Sequence, residues 1–224
     1  MPALFAAPKP PVRAVIFDFD GTLADAYGGI TASVNYVRAA HGLPPLDESV
    51  VRRYVGRGPA YLLEHTVGSA DLEADLARYQ AHHPSVMRSG TRLLPGAVEA
   101  VTALHRAGLR LAVCSNKPVA FTRELLDHLG LAPYLSVVVG PEDAPRPKPA
   151  PDMLRTALDR LGVAPTEAIY IGDMTVDIAA ARAAGVTVWV VPTGSEERDV
   201  LAAAGPDRLL HDLNELAALA DRLS

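Results

Sequence analysis

Cysteine, clustered basic charge and long apolar runs are all scarce in this sequence. Cys114 is the one thiol among 224 residues, so an intramolecular disulfide is impossible and a reducing cytoplasm is the expected compartment. The formal net charge is -5, and lysine and arginine form no run or stripe, which argues against a nucleic-acid partner. No apolar stretch reaches the length of a membrane span, so we expect no membrane partner either.

The opening residues, 1–12, combine a short apolar patch with several prolines. They lack the positively charged start and the apolar stretch of a signal peptide, so we predict a flexible tail. The rest of the chain is long enough for one large domain with a modest insertion and a real hydrophobic core.

Short apolar runs alternate with helix-like segments through most of the remaining chain. This alternation, with Gly and Pro between the segments, is typical of a parallel sheet covered by helices on both faces. We predict a doubly wound α/β, Rossmann-like core over 13–23 and 88–224. Its predicted strands are RAVIFD at 13–18, LRLAVCS at 109–115, LSVVVG at 135–140, AIYIGD at 168–173 and VTVWVV at 186–191.

The stretch 24–87 interrupts this alternation. Segments such as TASVNYVRAAHG (31–42) and ADLEADLARYQAHH (70–83) have the apolar spacing of helices and no comparable strand lies between them. We predict that 24–87 is a helical insertion. His82 and His83, within it, have no partner at metal-ligand spacing, so we expect both on the surface.

Two carboxylates, Asp18 and Asp20, directly follow the first predicted strand. Alternate strand residues point to opposite faces, so these side chains diverge unless the chain turns between them, and Gly21 and Thr22 supply that turn. Crowding two negative charges costs electrostatic energy, which a cation or a reaction has to offset. A merely structural strand end does not require such a pair.

Further polar residues follow the later strands, at the edge of the sheet where open parallel α/β sheets bind ligands. Taken singly, each has a structural interpretation, as a helix cap or as a solvated loop residue. Together they supply a nucleophilic carboxylate, a second carboxylate for proton transfer, hydroxyl and amide donors, a lysine and a metal-binding acid, which phosphoryl transfer uses. They are Ser115, Asn116, Lys148, Asp173 and Asp177.

These residues resemble, in order, the four motifs of the haloacid dehalogenase-like hydrolases. DFDGT at 18–22 is similar to the first motif and Ser115 in VCSN to the second. Lys148 in RPKPAPD is similar to the third motif and GDMTVD at 172–177 to the fourth. The helical insertion is similar to that family's cap. Within the family, NKP at 116–118, KPAPDML, AAHGLPPL and VGRGPAYLL look most like the phosphoglycolate phosphatase branch, although Ser115, Met174 and DAYGGI (25–30) depart from its usual pattern.

The resemblance implies that Asp18 attacks phosphorus to form an aspartyl-phosphate and that Asp20 protonates the leaving group and then activates water. The members of that family that cleave carbon-halogen or phosphonate bonds lack an Asp two positions after the nucleophile, so the resemblance implies that Asp20 favours phosphate esters. It implies a Mg²⁺ held by the side chains of Asp18 and Asp173 and the carbonyl of Asp20, with Asp177 acting in the second shell or through water.

Further roles concern the phosphate and the rest of the substrate. Lys148 supplies positive charge, Ser115 hydrogen-bonds a phosphate oxygen, and Asn116 is a neighbouring donor. Gly21 and Thr22, in the turn, belong to the expected substrate site. Arg57, between two glycines of the insertion, is a candidate for meeting a substrate carboxylate, the alternative being an exposed loop arginine.

The leading prediction is therefore a Mg²⁺-dependent phosphatase for a small phosphate monoester, with 2-phosphoglycolate first among the candidates. A sugar-phosphate mutase resembling beta-phosphoglucomutase and an inorganic pyrophosphatase remain open on the same scaffold. A phosphate-binding regulator is the non-enzymatic alternative, and the insertion argues against it because receiver-like domains are usually one compact domain. Either a monomer or a homodimer is consistent with the sequence.

Overall fold

The computed structural model describes residues 11–223. The predicted flexible tail therefore lies mostly outside the described residues. Val12, the last residue of the predicted tail, packs against the hydrophobic core, and the amide of the next residue, Arg13, donates to the carbonyl of Glu167 at 2.7 Å.

The described chain contains a six-stranded parallel sheet, which confirms the predicted doubly wound α/β core. The strand order is β5-β4-β1-β6-β7-β8, with β1 at the centre of the sheet next to β4 and β6. A separate two-stranded antiparallel ribbon is formed by β2 and β3. The strands are β1 (Ala14–Phe17), β2 (Ala24–Asp25), β3 (Arg92–Leu93), β4 (Arg110–Cys114), β5 (Val137–Val139), β6 (Ala168–Gly172), β7 (Thr187–Val190) and β8 (Arg208–Leu209).

Helices cover both faces of the sheet, and β1 shows why its sequence is apolar throughout. Val15 and Phe17 belong to the core on one face, whereas Ala14 and Ile16 belong to the core on the other. Every side chain of a strand that is buried on both faces lies in a core, so an apolar residue is favoured at each position. The helices are α1 (Tyr27–Ala40), α2 (Glu48–Arg52), α3 (Pro59–Thr66), α4 (Leu72–Val86), α5 (Ala97–Arg106), α6 (Val119–His128), α7 (Asp152–Leu161), α8 (Thr175–Ala184), α9 (Arg198–Ala203) and α10 (Leu213–Leu219).

The stretch 24–87, here called the cap segment, contains α1 to α4 around a small core of its own. Tyr27, Val34, Leu63 and Tyr79 are among the side chains buried there. Where the chain enters and leaves this segment, β2 and β3 pair to form the ribbon, with Ala24 opposite Leu93. The pairing ties the two connections to each other beside the main sheet.

The expectation that His83 lies on the surface is wrong. Its side chain is buried between α1 and α4, where Nδ1 lies 3.0 Å from the Ser33 hydroxyl and the ring stacks on Tyr79. Burial lowers the pKa of His83 to about 3, so the ring is neutral at physiological pH. His82, half-buried, stacks on the exposed ring of Tyr36. Metal-ligand spacing therefore gave no indication of the packing role of His83.

Cys114 ends β4 and is fully buried in the core, as expected for a small apolar residue. Burial raises the pKa of its thiol to about 12, so the thiolate is a minor species at neutral pH. Over the described residues, the helices all fall short of the combined length and apolarity that crossing a membrane requires.

Candidate active site

The turn after β1 separates Asp18 from Asp20. Asp18 is buried, and its Oδ1 accepts a hydrogen bond of 2.7 Å from the Phe19 amide. Gly21 has a φ of 86°, a left-handed conformation that favours glycine, and its amide donates to the carbonyl of Ala24. The chain thereby leaves the strand as the sequence predicts, and both carboxylates line one cavity.

Lys148 places a buried ammonium group beside the Asp18 carboxylate. Its Nζ lies 2.9 Å from Asp18 Oδ2 and 2.7 Å from Asp177 Oδ1, and it donates to the Tyr170 hydroxyl at 2.7 Å. Burial disfavours the charge, but the two carboxylates outweigh it and raise the pKa of Lys148 above its ordinary value. The lysine is therefore charged at physiological pH.

Asp177 anchors this lysine from the first turn of α8. Its Oδ2 accepts the amides of Asp173 and Met174 at 3.1 and 3.0 Å, while Oδ1 accepts Lys148 and the Tyr170 hydroxyl. Tyr170, on β6, was not singled out in the sequence. In the sequence, Tyr170 is one of several apolar residues of a predicted strand, and only the fold shows that its hydroxyl lies among the charged groups.

Asp173, at the end of β6, is fully buried with one oxygen unpaired. Oδ1 accepts a 2.7 Å hydrogen bond from the Thr22 hydroxyl, whereas Oδ2 has no partner among the described residues. The predicted substrate residue Thr22 thus contacts Asp173 in this structure. A Cβ on Gly194 would lie 1.6 Å from Asp173 Oδ2, so the backbone at Gly194 passes directly against the carboxylate.

Burial shifts the pKa of two carboxyl groups of the site, those of Asp18 and Asp173. Burial raises the pKa of Asp18 to about 6, although Lys148 opposes the shift. Burial also raises the pKa of Asp173 well above its usual range, and the negative charges of Asp177 and Asp18 add to the effect. Because the charged form is disfavoured in the fold, ionised Asp173 weakens the folded state as the pH rises through its raised pKa.

Ser115 and Asn116 follow β4 and are both buried. Ser115 lines the cavity, and its hydroxyl accepts the amide of Lys117 at 3.4 Å. The Asn116 amide nitrogen donates to the carbonyls of Gly56 and Lys148 at 3.0 Å, and its Oδ1 accepts the Lys148 amide. Both donor hydrogens of Asn116 are therefore used, and its side chain connects the Lys148 loop to the cap segment.

Lys117 is a residue that the sequence analysis did not single out. Its ammonium lies 3.2 Å from both oxygens of Asp20, its side chain is 4% exposed, and it is the one basic residue lining the cavity in the described part of the chain. Arg57 is exposed, outside the cavity lining, with its guanidinium 5.1 Å from the Tyr61 ring centroid. The rest of the cavity wall is mainly apolar, from Ile30, Val55, Leu62, Tyr79 and Phe121.

The donor set fits a hard divalent cation. One carboxylate oxygen from each of Asp18, Asp173 and Asp177 lies within 4.8 Å of the others. The unpaired Asp173 Oδ2 is the observation that supports a ligand, because a buried acceptor without a partner costs free energy. Carboxylate oxygens are the groups that Mg²⁺ uses in proteins.

The structure groups buried carboxylates and a lysine at the carboxyl ends of the strands of a parallel sheet. Residues 15–191 match the model of the haloacid dehalogenase-like hydrolase family. The chain therefore belongs to that family, as the four motifs indicate.

Relatives narrow the class to phosphoric monoester hydrolases. The chain is 40% identical over 215 residues to a phosphoglycolate phosphatase of Rhodospirillum rubrum, covering 91% of this chain and 89% of that protein. It is 31% identical over 229 residues to the phosphoglycolate phosphatase of Escherichia coli, covering 92% and 91%. A solved structure described as a haloacid dehalogenase-like hydrolase of Bacteroides fragilis superposes with a TM-score of 0.86 at 30% identity, covering 92% and 99%. These findings confirm the prediction of an enzyme of the phosphatase class.

Two isosteric substitutions are expected to change stability in opposite directions. Asp173→Asn replaces a buried carboxyl crowded by the charges of Asp177 and Asp18 with a neutral amide, so in metal-free protein at pH 7 it should raise the free energy of unfolding by about 1–3 kcal/mol. Asp177→Asn places an amide against the Lys148 ammonium and two backbone donors, so it should lower that free energy by about 3–5 kcal/mol. Urea unfolding of each variant measures both values.

The exposed Asp159→Asn serves as the control for both substitutions, since it removes a carboxylate from the surface. Its free energy of unfolding should stay within about 0.5 kcal/mol of the wild type. Loss of stability in Asp173→Asn would show that the Asp173 charge is compensated in the fold, contrary to the geometry described above.

Proposed function

We propose that this enzyme hydrolyses a small phosphate monoester in a Mg²⁺-dependent reaction through an aspartyl-phosphate on Asp18. The observation that carries the proposal is the position of Asp18, which lines the cavity while its Oδ2 lies 2.9 Å from the buried Lys148 ammonium. A carboxylate held next to a fixed positive charge is arranged to receive a phosphoryl group, whose negative charge the lysine then stabilises. Side chains of the cap segment, among them Ile30, Val55 and Leu62, line the same cavity.

In the first step, Asp18 attacks phosphorus and the ester oxygen leaves. Asp20 lies at the same cavity and is the group proposed to protonate that oxygen. Ser115, in the cavity lining, is proposed to donate to a phosphate oxygen. In the second step, Asp20 takes a proton from the water that attacks the aspartyl-phosphate, which releases inorganic phosphate and restores Asp18.

Asp18 and Asp173 are the proposed side-chain ligands of Mg²⁺, with the Asp20 carbonyl as a third ligand. When bound, the cation supplies charge that neutralises the carboxylates and the phosphate oxygens. Asp177, whose oxygens already accept four hydrogen bonds, is proposed to act from outside the ligand set by fixing Lys148 and the Asp173 amide.

The proposed substrate is 2-phosphoglycolate or a phosphate ester of similar size and charge. Two relatives that match about nine tenths of this chain bear the name phosphoglycolate phosphatase. Within the described cavity lining, Lys117 is the one basic side chain, so it is the group proposed to meet the substrate carboxylate in place of Arg57. We propose a cytoplasmic enzyme whose partner is this small ester.

The phosphatase proposal predicts metal-dependent phosphate release that depends on Asp18. In a panel of phosphate monoesters with Mg²⁺, 2-phosphoglycolate should have the highest kcat/KM, and a chelator should abolish release. Asp18→Asn should lower kcat by at least about 10³-fold, because the covalent route is lost. A colorimetric assay for inorganic phosphate measures all of these rates.

Two additions to the panel separate the alternatives left open by the sequence. Pyrophosphate tests the pyrophosphatase, and a hexose phosphate incubated with its bisphosphate tests the mutase through the position of the phosphate in the product. If folded Asp18→Asn releases phosphate at the wild-type rate, the covalent mechanism is refuted. A folded, metal-loaded enzyme that is inactive on the whole panel would refute the proposed substrate class.

The role of Lys117 predicts a selective loss toward carboxylate-bearing esters. Lys117→Met should lower kcat/KM for 2-phosphoglycolate by about 10- to 100-fold more than for ethyl phosphate, because a hydrogen bond to a charged group contributes about 1.5–3 kcal/mol. Ethyl phosphate lacks the carboxylate, so the ratio of the two losses removes any general effect on Asp20.

Arg57→Met is the matched control, since it removes the cation that the sequence favoured. It should change the same ratio by less than about 3-fold, as expected for an exposed side chain. An Arg57→Met variant that loses selectivity while Lys117→Met retains it would reverse the assignment.

A further inference from the structure

Arg52 connects the cap segment to the loop that passes over Asp173. It ends α2, and its Nη2 donates to the carbonyls of Thr193 and Gly194 at 2.9 and 2.7 Å. The same guanidinium lies 4.2 Å from the ring centroid of Tyr27, which is buried at the start of α1. A single cap side chain therefore joins two cap helices to two successive peptide groups of the core.

The loop that Arg52 contacts is packed directly against the site. The Thr193 hydroxyl donates to the carbonyl of Gly21 at 2.6 Å, in the turn that follows Asp18. Gly194 leaves no room for a Cβ because Asp173 Oδ2 would be 1.6 Å away. Glu196 then accepts both the amide and the hydroxyl of Thr175, at 2.7 and 2.9 Å, which ties the loop to the start of α8.

The contacts of this loop differ in kind. Those at Thr193 and Glu196 join parts of the core to one another. The contact from Arg52 comes from the cap segment, because α2 carries the side chain. The charged donor to the carbonyls of Thr193 and Gly194 is thus supplied by the cap segment, and hydrogen bonds to charged groups are the stronger ones.

We propose that Arg52 is a positioning residue that couples docking of the cap segment to the geometry of Asp173. Its guanidinium holds the 193–194 backbone against the carboxylate when the cap segment is seated and releases it when the segment moves away. The inference rests on the proposed function in one respect, which is that Asp173 ligates the metal. Arginine suits the role because its planar fork serves two carbonyls and stacks on an aromatic ring at once.

The test compares Arg52→Gln with Arg53→Gln, which removes the neighbouring, exposed arginine. Amide hydrogen exchange of the metal-free protein is measured over 191–196 and over α1, and binding of Mg²⁺ alone is measured by calorimetry. Arg52→Gln should speed exchange in both segments and weaken Mg²⁺ binding by about 10-fold, the usual loss when a group that supports a ligand is removed. Arg53→Gln should match the wild type in each measurement.

Arg52→Lys extends the test should the Gln variant unfold. Lysine keeps the charge without the fork, so exchange over 191–196 should still rise and Mg²⁺ should still bind more weakly. Faster exchange in α1 alone, with Mg²⁺ binding as in the wild type, would overturn the coupling and leave Arg52 a structural residue of the cap segment. These measurements need no turnover, so an inactive enzyme would refute the proposed function without deciding this inference.

Discussion

The ammonium group of Lys148, held between the carboxylates of Asp18 and Asp177, is the interaction on which the site depends. All three side chains are buried, and a buried charge persists only when partners of opposite sign and hydrogen bonds compensate for lost solvation. The fold meets this requirement from several directions. Asn116 fixes the backbone of the Lys148 loop, and Tyr170 supplies a hydroxyl from the neighbouring strand. The fold therefore places the charge of Lys148 between the carboxylates of Asp18 and Asp177.

One ammonium leaves the cluster short of positive charge. Asp18, Asp173 and Asp177 approach one another closely, and Asp173 Oδ2 has no partner within the part of the chain that the structure describes. A divalent cation would supply the missing positive charge of this cluster, whereas Asp20, the second carboxylate after β1, is paired with Lys117. The deficit of positive charge in the fold is therefore also the reason to propose a metal-dependent reaction at this site.

The sequence predicted the sheet and the residues at its carboxyl edge because both depend on local patterns, apolar runs and the polar residue that ends each run. It did not predict Lys117 or Arg52, whose partners lie 97 and more than 140 residues away in the chain. Flanking glycines favoured Arg57 instead, and the fold leaves that side chain exposed. His83 was misplaced for a similar reason, because helix pairing within the cap segment decides its burial. The catalytic roles of Asp18, Asp20, Ser115 and Lys148 remain predictions.

The most direct test of the central claim is to trap the phosphoryl group on the enzyme. Asp20→Asn removes the group proposed to activate water, while p-nitrophenyl phosphate has a leaving group that needs no protonation, so the first step is still open to this variant. Acid quenching during turnover of this ester with Mg²⁺, followed by peptide mass spectrometry, should find phosphate on Asp18. The same peptide from Asp18→Asn should be unmodified. Phosphate found on another residue, or turnover by wild type with no adduct in wild type or in Asp20→Asn at any quench time, would contradict the account.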